Sequence, residues 1–210
     1  MPDSRPTGDR VRSALTGFYA DLACALKDIQ VSDRDGRSLD FSAGMEQAVD
    51  LIVAQAAAGR KLMFIGNGAS AAISSHQSTD YWKTGRMRAV AFNDPALLTC
   101  LSNDLGYAHV FEEPVDMFAD AGDILVAISS SGRSENILRA ARAARDKSCH
   151  VITLSGFAPD NPLRARGDLN LYVPSASYGH VEIAHLSLLH CLLDIIVGLD
   201  VIPGAERRRG

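Results

Sequence analysis

Apolar positions recur at helical spacing over the first quarter of the chain and then gather into short unbroken runs. Leu15, Phe18, Leu22 and Leu26 fall on one face of a predicted helix over residues 11–29. The polar stretch Ser32-Asp33-Arg34-Asp35-Gly36 reads as a break, and a second helix is predicted over 42–58, stopped by Gly59. Beyond it, residues 62–65, 88–92, 124–128, 151–154 and 170–173 read as strands. Helices are predicted after the first strand to about residue 84, over 135–145, and over 181–197. Apolar strands without alternation are buried on both faces, and intervening helices imply parallel pairing. The pattern predicts one α/β domain over residues 11–200, a doubly wound five-stranded parallel sheet with helices on both faces. An N-terminal helical pair lies within residues 11–60, and residues 1–10 and 201–210 are expected to be flexible tails.

Composition narrows the class without changing the picture. Of 210 residues, 47% are hydrophobic and 22% charged, which supports a sizeable core and excludes a disordered chain. Lys and Arg total 21 against 25 Asp and Glu, so no basic surplus marks a nucleic-acid surface. Cys24, Cys100, Cys149 and Cys191 form no CxxC pair and read as packed free thiols of a reducing compartment. No apolar leader opens the chain, and the apolar stretch 186–202 is interrupted by His190, Asp194 and Asp200. A cytoplasmic protein with neither nucleic-acid nor membrane partner is expected. The unusual feature is histidine: His180, His185 and His190 all fall within or beside the last predicted helix.

Two strands run directly into Gly/Ser-rich turns that open helices. Ligands of doubly wound sheets sit beyond the carboxyl ends of strands, and a helix N-terminus offers unpaired N–H groups to a phosphate. Gly66 and Gly68 allow close backbone approach, with Asn67 and Ser70 available to hydroxyls. Ser129, Ser130, Ser131 and Ser134 surround Gly132. Either loop could be an ordinary turn with a serine cap, but one cap needs one hydroxyl and the second loop has four. The missing P-loop lysine and third glycine disfavour a nucleoside triphosphate or a dinucleotide. A phosphorylated sugar fits better. His76 and Asp80 share one helix face, as do Glu182 and His190 two turns apart, a set of two imidazoles and two carboxylates suited to zinc.

At these loops the chain resembles the SIS (sugar isomerase) domain, most closely the phosphoheptose isomerase family. The resemblance runs through Gly66-Asn67-Gly68-Ala69-Ser70, His76, Asn93-Asp94, Ser102-Asn103-Asp104-Leu105-Gly106-Tyr107, residues 122–134, and the helix bearing Glu182, His185 and His190. It implies conversion of sedoheptulose 7-phosphate to D-glycero-D-manno-heptose 7-phosphate by enediol proton transfer, for nucleotide-heptose and surface-polysaccharide synthesis. It further implies a homotetramer with active sites at subunit interfaces. Ser129, Ser130, Ser131 and Ser134 would hold the phosphate, while Asn67, Ser70, Asp94 and Glu182 bind the rest of the substrate. The family's metal ligands fall at His76, Asp80, Glu182 and His190, implying one zinc ion per subunit. Its acid–base pair falls at Asp80 and His190. His185 is expected to be a packing residue.

The departures concentrate at the sugar end. Asp80 stands for the family's Glu, Glu182 for its Gln, and Gly179-His180 for an Asp-Arg pair; the segment from Asp80 to Asp94 is also shorter. Two alternatives remain open: a SIS isomerase of another ketose phosphate, and a non-catalytic SIS binder such as the replication-initiator-associating type. Binders of that type lack the acidic residue and the last histidine, which this chain keeps as Asp80 and His190.

Overall fold

The computed structural model describes residues 8–202. In chain order its elements are α1 (Gly8–Lys27), β1 (Gln30–Asp33), β2 (Ser38–Leu39), α2 (Phe41–Ala57), β3 (Lys61–Gly66), α3 (Ala69–Lys83) and β4 (Arg88–Ala91). Then come α4 (Pro95–Asp104), a 3-10 turn at Tyr107–His109, α5 (Glu112–Phe118), β5 (Ile124–Ser129), α6 (Glu135–Asp146), β6 (His150–Ser155), a 3-10 turn at Pro162–Ala165, β7 (Leu169–Tyr172) and α7 (Tyr178–Gly198).

The sheet has seven strands in the order β2-β1-β7-β6-β5-β3-β4. The five predicted strands form its parallel body, β4 beside β3, then β5, β6 and β7. The expected five-stranded sheet is corrected by β1, which pairs antiparallel with β7, and by β2, which closes a hairpin on β1. That hairpin hides in the segment read as a polar break. Its turn is built by Asp33, whose Oδ1 accepts from the N–H groups of Asp35 and Arg37, and by Gly36 at φ +77°. Strands of two and four residues carry too little periodicity to announce themselves.

Both faces are covered, as the unalternated strands require. Leu62 and Phe64 point with Ile124, Val126 and Ile128 toward α2, α3 and α7, while Met63, Ile65, Leu125 and Ala127 point toward α5 and α6. The helix after β3 is held to the last helix by Tyr81, fully buried, whose hydroxyl donates to the Leu189 carbonyl at 3.2 Å. By length and composition α7 could cross a membrane, but half of its most apolar window is buried inside this fold.

The terminal expectations are partly corrected. Residues 8–10 are helical, and Ile202 is buried with the core, so order extends further at both ends than the 11–200 domain; residues 1–7 and 203–210 lie outside the described residues. Of the α1 stripe, Leu22 and Leu26 are half-buried, whereas Leu15 is 55% exposed and Phe18 is also exposed. The thiols are free, yet only Cys149 is packed away, its pKa raised by burial to about 11; Cys24, Cys100 and Cys191 are exposed.

Candidate active site

Two helix N-termini meet at one cavity. β3 delivers Gly66, where a Cβ would run into the Ser70 backbone, so glycine lets the loop close on the first turn of α3. Gly68, at φ +56° and ψ −123°, then caps α3 in backbone space that other residues avoid. β5 delivers the serine loop. Gly132 sits at φ +62°, and a Cβ there would collide with the buried side chain of Asn161. The loop closes on itself: the Gly132 N–H donates to Ser129 Oγ at 3.2 Å, and the Ser129 and Ser134 hydroxyls are 3.3 Å apart. Ser134 caps α6 by position without a side-chain cap bond.

The resulting cavity of about 250 Å³ is lined by Asn67, Ser70, Ser129, Ser130, Ser131 and Ser134, with Gly68, Ala69 and Ile128 beside them and Tyr178 and Glu182 from the start of α7. No Lys or Arg is among its lining residues. An anion here would meet hydroxyls and the positive ends of α3 and α6.

A second group lies further along the same two helices. One ligand atom from each of His76, Asp80 and His190 lies within 4.8 Å of the others. His76 Nε2 is 3.2 Å from Asp80 Oδ2, and the His76 and His190 rings are 5.4 Å apart. At 1.5 Å per residue, this group stands about 9 Å from Ser70 along α3 and about 12 Å from Glu182 along α7. His76 is 55% exposed at its side chain, so the group opens on the surface between the helices. Two ring nitrogens and a carboxylate oxygen fit the donor set of a zinc site that keeps a position open.

Comparison with known proteins matches the strand, loop and helix order just described. The SIS domain family profile covers residues 40–156. Phosphoheptose isomerase from Helicobacter hepaticus is 36% identical over 160 residues, covering 72% of this chain and 80% of that protein. The enzyme of that name from Yersinia pestis is 33% identical over 196 residues, covering 90% and 95%. The chain belongs to the phosphoheptose isomerase family of SIS-domain proteins. The structure of phosphoheptose isomerase from Neisseria gonorrhoeae superposes with a TM-score of 0.78 at 30% identity, covering 89% of this chain and 99% of that one.

Within this family frame, several expected placements change. Glu182, expected both at the substrate and at the metal, lines the serine cavity and is not part of the His76–Asp80–His190 group; eight residues of helix hold it two turns from His190. Asp94 does not line the cavity. Its carboxylate accepts from the N–H groups of Ala96 and Leu97 at 2.9 and 3.0 Å and caps α4 ahead of Pro95. His185 packs as expected: fully buried, its Nε2 donates to the Ser155 carbonyl at 3.2 Å, and burial lowers its pKa to about 4, leaving it neutral. His180 is buried with its ring 4.6 Å from that of Phe18. His109 pairs with Glu112 at 2.7 Å, and His150 lies 4.0 Å from Asp168.

The residues the sequence reading missed are Tyr178, Tyr107 and Asn136. Tyr178 precedes the predicted start of the last helix, and its ring meets Phe157 edge-on at the cavity. Tyr107 and Asn136 bond to Asn67, from a 3-10 turn and from α6 respectively. Of these only Tyr107 lies inside a family-like segment; Asn136 falls just after residues 122–134 and Tyr178 ahead of the last predicted helix, where no sequence signal marks them.

Proposed function

We propose that this chain is an aldose–ketose isomerase that converts sedoheptulose 7-phosphate to D-glycero-D-manno-heptose 7-phosphate, in the synthesis of nucleotide-heptose precursors of surface polysaccharide. The carrying observation is that a serine-lined cavity without Lys or Arg and a His–Asp–His group lie on the same pair of helices, about 9 Å apart along α3. A seven-carbon sugar phosphate anchored at one end reaches the other with its C1–C2 unit.

The chemistry follows from the groups present. Ser129, Ser130, Ser131 and Ser134, with the amides opening α6, bind the phosphate, while Asn67 and Ser70 face the chain of hydroxyls. One group must take the proton from C1 of the ketose and return it to C2, while another moves a proton from O1 to O2 through the enediol. Asp80 and His190 share this work, with Asp80 oriented by its contact to His76. His76, Asp80 and His190 would hold one zinc ion per subunit, which when bound supplies polarisation of the carbonyl oxygen. The reading includes a homotetramer with sites at subunit interfaces, supported by the open His76 group and by exposed apolar residues nearby: Trp82, Ile183 and Ile195, besides Leu15. Unpaired thiols support a cytoplasmic, reducing setting.

The test is incubation of the purified protein with sedoheptulose 7-phosphate, following aldose formation with and without a chelator. Turnover that falls on chelation and returns with zinc supports both activity and metal. Turnover only with a different ketose phosphate would point to the substitutions at Asp80 and Glu182 as specificity changes. Tight binding of ketose phosphates without turnover of any would favour a binder.

A further inference from the structure

Asn67 is held by more than its own loop. Its Nδ2 donates to Asn136 Oδ1 at 3.0 Å, and Asn136 Nδ2 donates back to Asn67 Oδ1 at 2.9 Å, forming a reciprocal amide pair. The Tyr107 hydroxyl donates to the same Asn67 Oδ1 at 2.8 Å. Asn136 is buried at the start of α6, directly after the serine loop, and Tyr107 reaches in from the turn behind Gly106.

The orientation of these amides is dictated by backbone. Asn136 Oδ1 also accepts from the Ile137 N–H at 3.0 Å, which fixes which end of that amide is oxygen. Turning Asn67 over would then face NH2 against NH2 across the pair. Asn67 Oδ1 therefore has both lone pairs engaged, and one Nδ2 hydrogen is committed to Asn136. The second hydrogen has no protein acceptor among the described residues, and Asn67 lines the serine cavity.

We infer that Asn136 and Tyr107 are positioning residues that make Asn67 a fixed, donor-only contact for a substrate oxygen. The inference rests on the proposed isomerase reading and adds a selection rule to it: the oxygen facing Asn67 must offer a lone pair, as a carbonyl, a hydroxyl acceptor or a phosphate oxygen does. It also links the two ends of the substrate site, because the helix that begins beneath the phosphate holds the residue that faces the sugar. Without the clamp, an asparagine amide turns freely and presents either polarity.

A double-mutant cycle separates this role from general support of the fold. With the ketose phosphate the wild type turns over, Asn136→Leu should lower kcat/KM about tenfold and Tyr107→Phe about threefold, as expected for one or part of one neutral hydrogen bond. In an Asn67→Ala background both effects should shrink to less than about twofold. Losses that persist undiminished in that background would overturn the inference. Tyr107→Phe alters an exposed side chain, so it keeps the cycle readable if Asn136→Leu fails to fold. An arm independent of activity uses 15N-labelled protein without ligand. The Asn67 side-chain amide signals, identified by their loss in Asn67→Ala, should shift and exchange faster with water in Tyr107→Phe. Unchanged signals would overturn the clamp. If the wild type isomerises no ketose phosphate, the isomerase reading fails while this arm still decides whether the clamp exists.

Discussion

The two halves of the site are built by opposite means. The serine cavity is made largely of backbone: two strand ends, two helix starts, and glycines held in or near conformations and contacts that a side chain would disturb. The His76–Asp80–His190 group is made entirely of side chains projecting from the middle of two helices, and one of them is more than half exposed. A backbone site is rigid as soon as the sheet forms. A side-chain site depends on the lateral packing of α3 against α7 and on what covers its open face. Binding and chemistry should therefore respond to different substitutions.

The largest test of that contrast is His190→Ala or Asp80→Asn. Either should lower kcat by about 10³-fold, the range for removing a positioned acid–base group, and leave thermal unfolding within a few degrees of wild type. Near-normal rates in both would move the chemistry elsewhere. On the backbone side, Gly132→Ala should raise KM about tenfold or more and lower the melting temperature as well, because φ +62° costs a non-glycine residue roughly 1–2 kcal/mol and the new Cβ meets Asn161. An unaltered KM would show that the serine loop is not the anion site.

The last helix offers two smaller tests, one where it packs on the sheet and one at its seam with α3. His185 has its pKa lowered from 6.5 to about 4 by burial, so the unfolded chain takes up a proton there before the folded one does. Its contribution is complete above pH 6.5 and is lost as pH falls toward 4, amounting to about 3 kcal/mol. Urea unfolding at pH 7, 5.5 and 4.5 should show that fall in the wild type and a shallower one in His185→Gln; parallel curves would refute it. Tyr81→Phe should destabilise by about 1 kcal/mol through the lost bond to Leu189, measured by the denaturation midpoint. A further drop in kcat, without a matching rise in KM, would show that the seam sets the His76–Asp80–His190 geometry and leaves the cavity intact.

Much of this division was already written along the chain. Runs such as residues 124–128 declare a strand buried on both faces, and Ser129 to Ser134 after such a strand mark a hydroxyl-rich strand-to-helix turn, because each signal is local and contiguous. Asp94 shows that one residue can carry two local signals: expected at the sugar, it also stands as Asp-Pro before an apolar run, and its carboxylate caps α4. Glu182 shows a second limit. Residues 182 and 190 share a helix face, yet sharing a face does not bring them to one point when two turns separate them.

The sequence by itself determined the parallel body of the sheet, the two glycine-containing turns and the pairing of His76 with Asp80, since all of these follow from neighbours a few residues apart. Tertiary structure alone decided the added hairpin at the sheet edge and the meeting of His76 and Asp80 with His190. It also decided the grip of Asn136 and Tyr107 on Asn67. Apart from the β1–β2 turn itself, the partners lie far apart in the chain, and only the packing of α3 against α7, the pairing of β1 with β7 and the adjacency of β3 and β5 bring them within bonding distance.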